Sequence, residues 1–203
     1  MQHQVHPAIF RIPRRRTAPR LWRWIACILL LPSWLSTSNA ATPEKARPTQ
    51  YDVEAAYLFD FGKFIAWPPA PEADAPFLIC IIGDDPFGPV LDRTVAGESL
   101  RGRSVQDKRV LRPQDAIGCS ILYISGSESS RLSKILSVLQ EAPVLTVSDI
   151  PDFVRQGGMI QFVVREGRVR FEVNLASAHR SSLTMSSELL KVALEVVRGG
   201  ESQ

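Results

Sequence analysis

Histidine and cysteine are scarce, with three of each in 203 residues. His3, His6 and Cys27 fall in the first forty positions, which leaves His179, Cys80 and Cys119 for the rest of the chain. Two cysteines and one histidine cannot complete a standard four-ligand zinc site from those residue types. Histidine-based acid–base chemistry would have to run through His179. Several motifs are missing as well. Without Cys-x-x-Cys, thioredoxin-type catalysis is disfavoured. Without Gly-x-Ser-x-Gly, a serine hydrolase using His179 with Asp149 or Asp152 is disfavoured. Neither Gly-x-Gly-x-x-Gly nor a P-loop lysine is present, so no nucleotide cofactor is expected. The chain is read as a non-enzyme with no cofactor and no metal. No apolar run approaches the roughly 20 residues of a membrane-spanning helix.

Acid is absent from the first forty residues, which hold six arginines (Arg11, Arg14, Arg15, Arg16, Arg20, Arg23). The remaining chain has 18 bases against 21 acids, so the formal charge of +3 becomes −3 beyond residue 40. Such a body has no general attraction for phosphate backbones, and nucleic-acid binding is disfavoured. The arginines precede an apolar run, Trp24–Leu35, followed by polar Ser36–Asn39 and then Ala40-Ala41. That order is a secretory signal peptide over residues 1–40, cut after Ala40, with Ser38 at −3 and Ala40 at −1. Arg14-Arg15 lacks the apolar consensus of a twin-arginine signal. Export to a bacterial periplasm is expected, where two cysteines tend to pair.

Residues 41–48 read as a polar spacer and 49–200 as one domain. Thr49-Gln50-Tyr51-Asp52 fits a helix start, and Val53, Ala56, Tyr57, Phe61 and Phe64 follow at helical spacing, widened by Leu58 and Ile65. Phe77–Ile82 is a continuous apolar run closed by Gly83, as for a strand buried on both faces. A short helix is expected near Pro89–Val95, and a polar strand near a sheet edge over Ser104–Leu111. Another buried strand follows at Cys119–Ile124, an amphipathic helix at Ser129–Gln140 and a third apolar strand at Pro143–Val147. Ile150–Arg155 reads as a short helix. Met159–Val164 and Arg168–Val173 flank Glu166-Gly167 at hairpin spacing. One or two helical turns over Asn174–Arg180 and a final helix over Ser187–Val197 complete the pattern. Alternating strands and helices imply an α/β layered domain with a mostly parallel sheet and a C-terminal hairpin.

Cys80 and Cys119 lie on consecutive apolar strands and could pair if the register brings them together; two buried thiols remain the alternative. Asp84 and Asp85, in Gly83–Gly88, occupy a strand-to-helix turn of the kind that binds ligands in α/β folds, or simply cap the next helix. Arg165, Arg168 and Arg170 alternate with Glu166 and Glu172 as a solvated sheet face. Asn174 suits a cap for the next turn. Glu172 and Asn174 are the candidates for a partner-binding surface at this end of the chain.

The segment Tyr51-x-Val53-x-Ala55-Ala56-Tyr57-Leu58-x-x-Phe61-x-Lys63-Phe64-x-x-Trp67-Pro68 resembles the opening helix of the YfiR family of bacterial periplasmic proteins. The resemblance continues through Cys80–Gly88, Cys119–Ser125, Val147-Ser148-Asp149 and Gly157–Ile160. Phe171-x-Val173-Asn174-Leu175 and Leu183-x-Met185-Ser186-Ser187-x-Leu189-Leu190 complete it, so nearly the whole body matches in order. It implies a periplasmic repressor that holds a YfiN-type inner-membrane diguanylate cyclase inactive, lowering cyclic-di-GMP and biofilm formation. An α/β fold, a homodimer and redox control through disulfides are implied with it. Cys80 and Cys119 match one cysteine pair of the family; a second pair, expected between Val147 and Phe162, is missing here. The alternative is a periplasmic small-molecule-binding module acting with another membrane sensor, such as a histidine kinase.

Overall fold

The computed structural model describes residues 47–69 and 75–198. The expected signal peptide over 1–40, most of the expected spacer and the last residues of the expected domain lie outside them. Helix α1 (Gln50–Phe64) starts with a complete capping box. The Thr49 hydroxyl accepts from the Asp52 amide, and the Asp52 carboxylate accepts from the Thr49 amide at 2.7 Å. Its buried face differs from the expected stripe: Glu54, Ala55, Leu58, Phe61 and Gly62 are inside, whereas Ala56 and Phe64 face outward. Gly62 accounts for the rotation. A Cβ there would lie 2.4 Å from Leu100 Cδ1 and 3.3 Å from the Phe77 ring, so the helix turns its small residues toward the sheet. That rotation carries Glu54 inward with them.

Strand β1 (Ile65–Ala66) leaves the helix and pairs antiparallel with β9 (Thr184–Met185), Ile65 opposite Met185. The main sheet holds β2 (Phe77–Ile82), β3 (Ser99–Leu100), β4 (Arg103–Val110), β5 (Ile121–Ile124), β6 (Leu145–Ser148), β7 (Ile160–Arg165), β8 (Arg168–Asn174) and β10 (Glu195–Val197). Their order is β10-β8-β7-β6-β5-β2-β4-β3. The block β4-β2-β5-β6-β7 is parallel throughout. The hairpin β7–β8 turns through Glu166 and Gly167, both at positive φ (53° and 70°), the type I′ geometry that matches strand twist. Helices α2 (Pro89–Val95), α3 (Leu132–Leu139), α4 (Leu175–Arg180) and α5 (Ser187–Val192) flank the sheet.

The apolar runs of β2 and β5 divide by alternation, as the pleat requires. Ile79, Ile81, Ile121 and Tyr123 join the core under α1 and α2. Cys80, Ile82, Leu122 and Ile124 join the opposite core, with Leu132, Ile135 and Leu139 of α3. This is a mixed α/β single domain with a mostly parallel sheet, as expected.

One expected helix is not formed and another is shorter than expected. Ile150–Arg155 is a run of turns with Asp152 at φ 58°. Side chains claim its amides: Ile150 N donates to Ser148 Oγ (3.0 Å) and Val154 N to Gln161 Oε1 (3.3 Å). The final helix stops at Val192, and Glu195–Val197 becomes β10, parallel to β8. Its β-branched valines satisfy an edge that would otherwise be open; the Leu194 amide donates to Phe171 O at 2.8 Å as the strand begins.

Candidate functional site

From β2 the chain crosses through α2 to β4, then returns past β2 to β5 and β6. Strand order therefore reverses between β2 and β5. In open α/β sheets this reversal leaves a crevice beyond the carboxyl ends of the strands. Here it is a cavity of about 270 Å3 lined by Tyr51, Asp84, Asp85, Pro86, Tyr123, Ser125, Gly126 and Asp149. Gly83 precedes Asp84 where β2 ends. It sits at φ 90°, where a Cβ would be 2.5 Å from Ser127 Oγ and 2.8 Å from Glu128 Cγ. Only glycine lets β2 exit so close to the turn after β5.

The two aspartates of the turn differ in their environment. Asp85 Oδ1 accepts from the amides of Phe87 (2.8 Å) and Gly88 (3.1 Å), fixing the entry to α2. Its Oδ2 accepts from Arg109 Nε (2.9 Å) and Nη2 (2.7 Å). Arg109 also meets Asp92 at 2.7 Å and Asp107. Asp85 is thus a neutralised turn residue. The Asp84 amide donates to Ser127 Oγ (2.9 Å), and its exposed carboxylate is at the cavity wall.

Behind that wall lies a residue that sequence reasoning passed over. Glu54 is fully buried, one turn after Tyr51 on α1. The Gln50 amide donates to its Oε1 at 2.8 Å, and its Oε2 has no hydrogen-bond partner among the described residues. Asp149 Oδ1 is likewise buried and without a partner. Burial pushes the Glu54 carboxyl up to about 7; the Gln50 bond opposes this and the Asp149 charge adds to it. Burial also raises the Tyr123 and Tyr51 hydroxyls, with Asp149 and Glu54 reinforcing the shift in each. Phe87 ties the two tyrosines together, edge-on at 5.9 Å to Tyr51 and 4.7 Å to Tyr123. One signal was available in the sequence: an acid within the core-facing turns of an otherwise apolar helix.

The raised Glu54 carboxyl has a consequence for stability. Between about pH 4.5 and 7 the folded protein retains a proton that the unfolded chain releases. Stability is therefore greatest below this window, declines through it as pH rises, and is lowest above it. At about 1.4 kcal/mol per pKa unit, the decline is at most about 3.5 kcal/mol. Glu54→Gln retains an acceptor for Gln50 and is expected to flatten the decline and raise stability at pH 8. Urea unfolding at pH 5 and pH 8 measures both; an unchanged pH dependence in the variant would contradict the assignment.

The other expected residues lie elsewhere. Cys80 and Cys119 form a disulfide, with Cα atoms 6.1 Å apart, in the core on the α3 side of the sheet. Glu172 is half-buried on β8, opposite Gln161 of β7 and Glu195 of β10. Asn174 is buried: its Oδ1 accepts from Ser177 N (2.9 Å), capping α4, and its Nδ2 donates to Val154 O (2.7 Å). His179 is exposed in the last turn of α4 and does not line the crevice that holds Asp149. A second depression, about 290 Å3, lies against α3 and α4. Its Arg180 guanidinium donates to Ser177 Oγ (2.8 Å) and its Ser181 hydroxyl to Gln140 O (3.0 Å). Both groups are engaged by neighbours.

No helix among the described residues is long and apolar enough to cross a membrane. Among solved structures, the chain is similar to a conserved domain protein from Vibrio cholerae O1 biovar El Tor. That likeness has 10% identity and a TM-score of 0.53, and covers 74% of this chain and 61% of the other; at this identity it shows the fold alone. A weaker likeness is to the ABC domain in complex with L-Trp from Streptococcus pneumoniae. It has 12% identity and a TM-score of 0.44, over 60% of this chain and 55% of the other, and carries no argument. The chain thus spans less than two thirds of either structure. The family model described as YfiR/HmsC-like matches residues 51–194, from the first turn of α1 to the start of β10. That span takes in the crevice, the disulfide and the hairpin, and the chain belongs to the YfiR/HmsC-like family.

Proposed function

We propose that this protein is an exported, non-enzymatic periplasmic regulator that represses an inner-membrane diguanylate cyclase by binding its periplasmic domain. The observation that carries the reading is the family match over residues 51–194, a family known for regulation rather than catalysis. Repression requires tighter binding to the inactive cyclase than to the active one. Converting a population from 99% active to 99% inactive takes a differential of about 5.5 kcal/mol. A contact surface around Glu172 and the end of the β7–β8 hairpin suits this role, with Val164 half exposed beside it. Asn174 would contribute by holding α4 in place rather than through its engaged amide. A homodimer would present two copies of this surface.

The acidic crevice favours a second reading, in which a small molecule bound at the strand ends informs a different membrane sensor, such as a histidine kinase. Deleting the gene separates the two. Cyclase repression predicts a rise in cellular cyclic-di-GMP and in biofilm; unchanged levels would shift support to the second reading.

A further inference from the structure

We propose that the depression between α3, α4 and the turn before β7 binds a small organic monocarboxylate, its charge held by Arg180 and its chain by Leu136, Leu139 and Met159. The inference concerns a ligand and a place that neither reading of the function uses, so it is tested independently of both. It begins with the hydroxyl protons of the lining. Ser137 donates to Lys134 O at 2.9 Å and Ser181 to Gln140 O at 3.0 Å, so backbone carbonyls take both protons. Thr146 and Ser177 are 2% and 3% exposed, and among the described residues they only accept. Thr146 Oγ1 accepts from the Met159 amide (3.2 Å) and Ser177 Oγ from Arg180 Nη2 (2.8 Å). A hydroxyl carries one donor beside its acceptor pairs, and buried polar groups are seldom left without a partner. Two buried hydroxyls of the lining therefore each have a proton to offer an acceptor in the depression.

The same wall fixes the sign of the ligand. Arg180 lines the depression, and no aspartate, glutamate, lysine or histidine does. A guanidinium has five N–H donors; one is spent on Ser177, and no carboxylate pairs with Arg180 among the described residues. A cationic ligand would meet a like charge with no acid in the wall to offset it. One positive charge matches one negative charge, which favours a carboxylate over a doubly charged phosphate. A planar carboxylate is also the group that a guanidinium grips with two parallel hydrogen bonds. Leu136 and Leu139 of α3, with Met159 before β7, form the apolar part of the lining. A bare inorganic anion would leave that part uncovered. A volume of about 290 Å3 is at the small end of ligand sites, suited to a short aliphatic chain.

Hexanoate is the probe, with hexanamide as its neutral isostere, hexylamine as the opposite charge and acetate as the head group without the chain. Each is titrated at pH 7 into the isotope-labelled mature protein, where backbone amide shifts report both affinity and place. Hexanoate is expected to saturate, with the largest shifts at Gly157, Ser177 and Ser181, and to bind at least tenfold more tightly than the other three. Arg180→Gln changes an exposed side chain, so the variant should fold and lose at least tenfold in affinity. Ser177→Ala, confirmed as folded by its unfolding transition, should lose about threefold, in the range of a neutral hydrogen bond. Absence of saturation would overturn the proposal, as would equal binding of hexanamide or acetate, or unchanged affinity in Arg180→Gln. Shifts centred on Arg165, Arg168 and Arg170 of the hairpin would overturn it too, by showing attraction to exposed charge alone.

Discussion

Replacing both Cys80 and Cys119 with alanine is expected to lower the unfolding free energy by about 4 kcal/mol, the chain-entropy value for a closed loop of this length. The bond spans 39 residues and joins β2 to the segment that enters β5, the two strands on either side of the crevice. Alanine is the appropriate replacement because both sulfurs lie in an apolar core with Ile82, Leu122 and Ile135, where a serine hydroxyl would add an unrelated cost. Against an ordinary total of about 5–15 kcal/mol, the loss is large enough to leave part of the population unfolded at growth temperature. Urea unfolding followed by Trp67 fluorescence measures it; Trp67 is the one tryptophan beyond residue 40 and packs edge-on to Phe77 at 5.1 Å. Coincident midpoints for the two proteins would show that the bond adds no stability. Exposures of 0% and 4% at the two cysteines also predict slow reduction of the native protein. Reductant must wait for the core to open, so the reading favoured here is a structural clamp rather than a rapid redox switch.

Phe61→Ala is expected to cost about 3–5 kcal/mol, as for other large aromatic truncations in a closed core. Phe61 is 1% exposed and meets Tyr57 (5.9 Å), Phe162 (5.9 Å) and Phe171 (5.3 Å). This cluster fastens α1 to the β7–β8 hairpin, so the same substitution loosens the helix that carries Tyr51 to the crevice wall and Glu54 behind it. Phe64, three residues later and 39% exposed, is the control: truncation there should cost less than about 1 kcal/mol. Equal losses at 61 and 64 would contradict the burial assigned to α1, and thereby the placement of Glu54.

The parallel sheet was legible because its strands are buried on both faces. Phe77–Ile82 and Ile121–Ile124 are apolar at every position, a pattern few other elements produce. The α1 capping box and the Glu166-Gly167 turn were legible for a different reason, since local backbone chemistry determines both. The face of α1 was not, because phenylalanines lie all round the helix. Only the close approach at Gly62 decides that Ala55 goes inward and Phe64 does not. The end of the chain departs from its spacing for a similar reason. Leu189, Val192, Ala193 and Val196 fit helical spacing, but the open edge of β8 recruits Glu195–Val197 as a strand. The crevice depends on residues 51, 84, 123 and 149, which no local pattern connects. Asp84 stands out because it follows a strand, whereas Tyr123 lies inside an apolar strand and Glu54 inside a largely apolar helix.

Repression from the periplasm is tested most directly by complementing the deletion strain with the full-length gene and with a version lacking residues 1–40, then measuring cyclic-di-GMP. The account predicts that deletion raises the nucleotide and that only the exported protein lowers it again. Restoration by the leaderless protein, or no change on deletion, would contradict it.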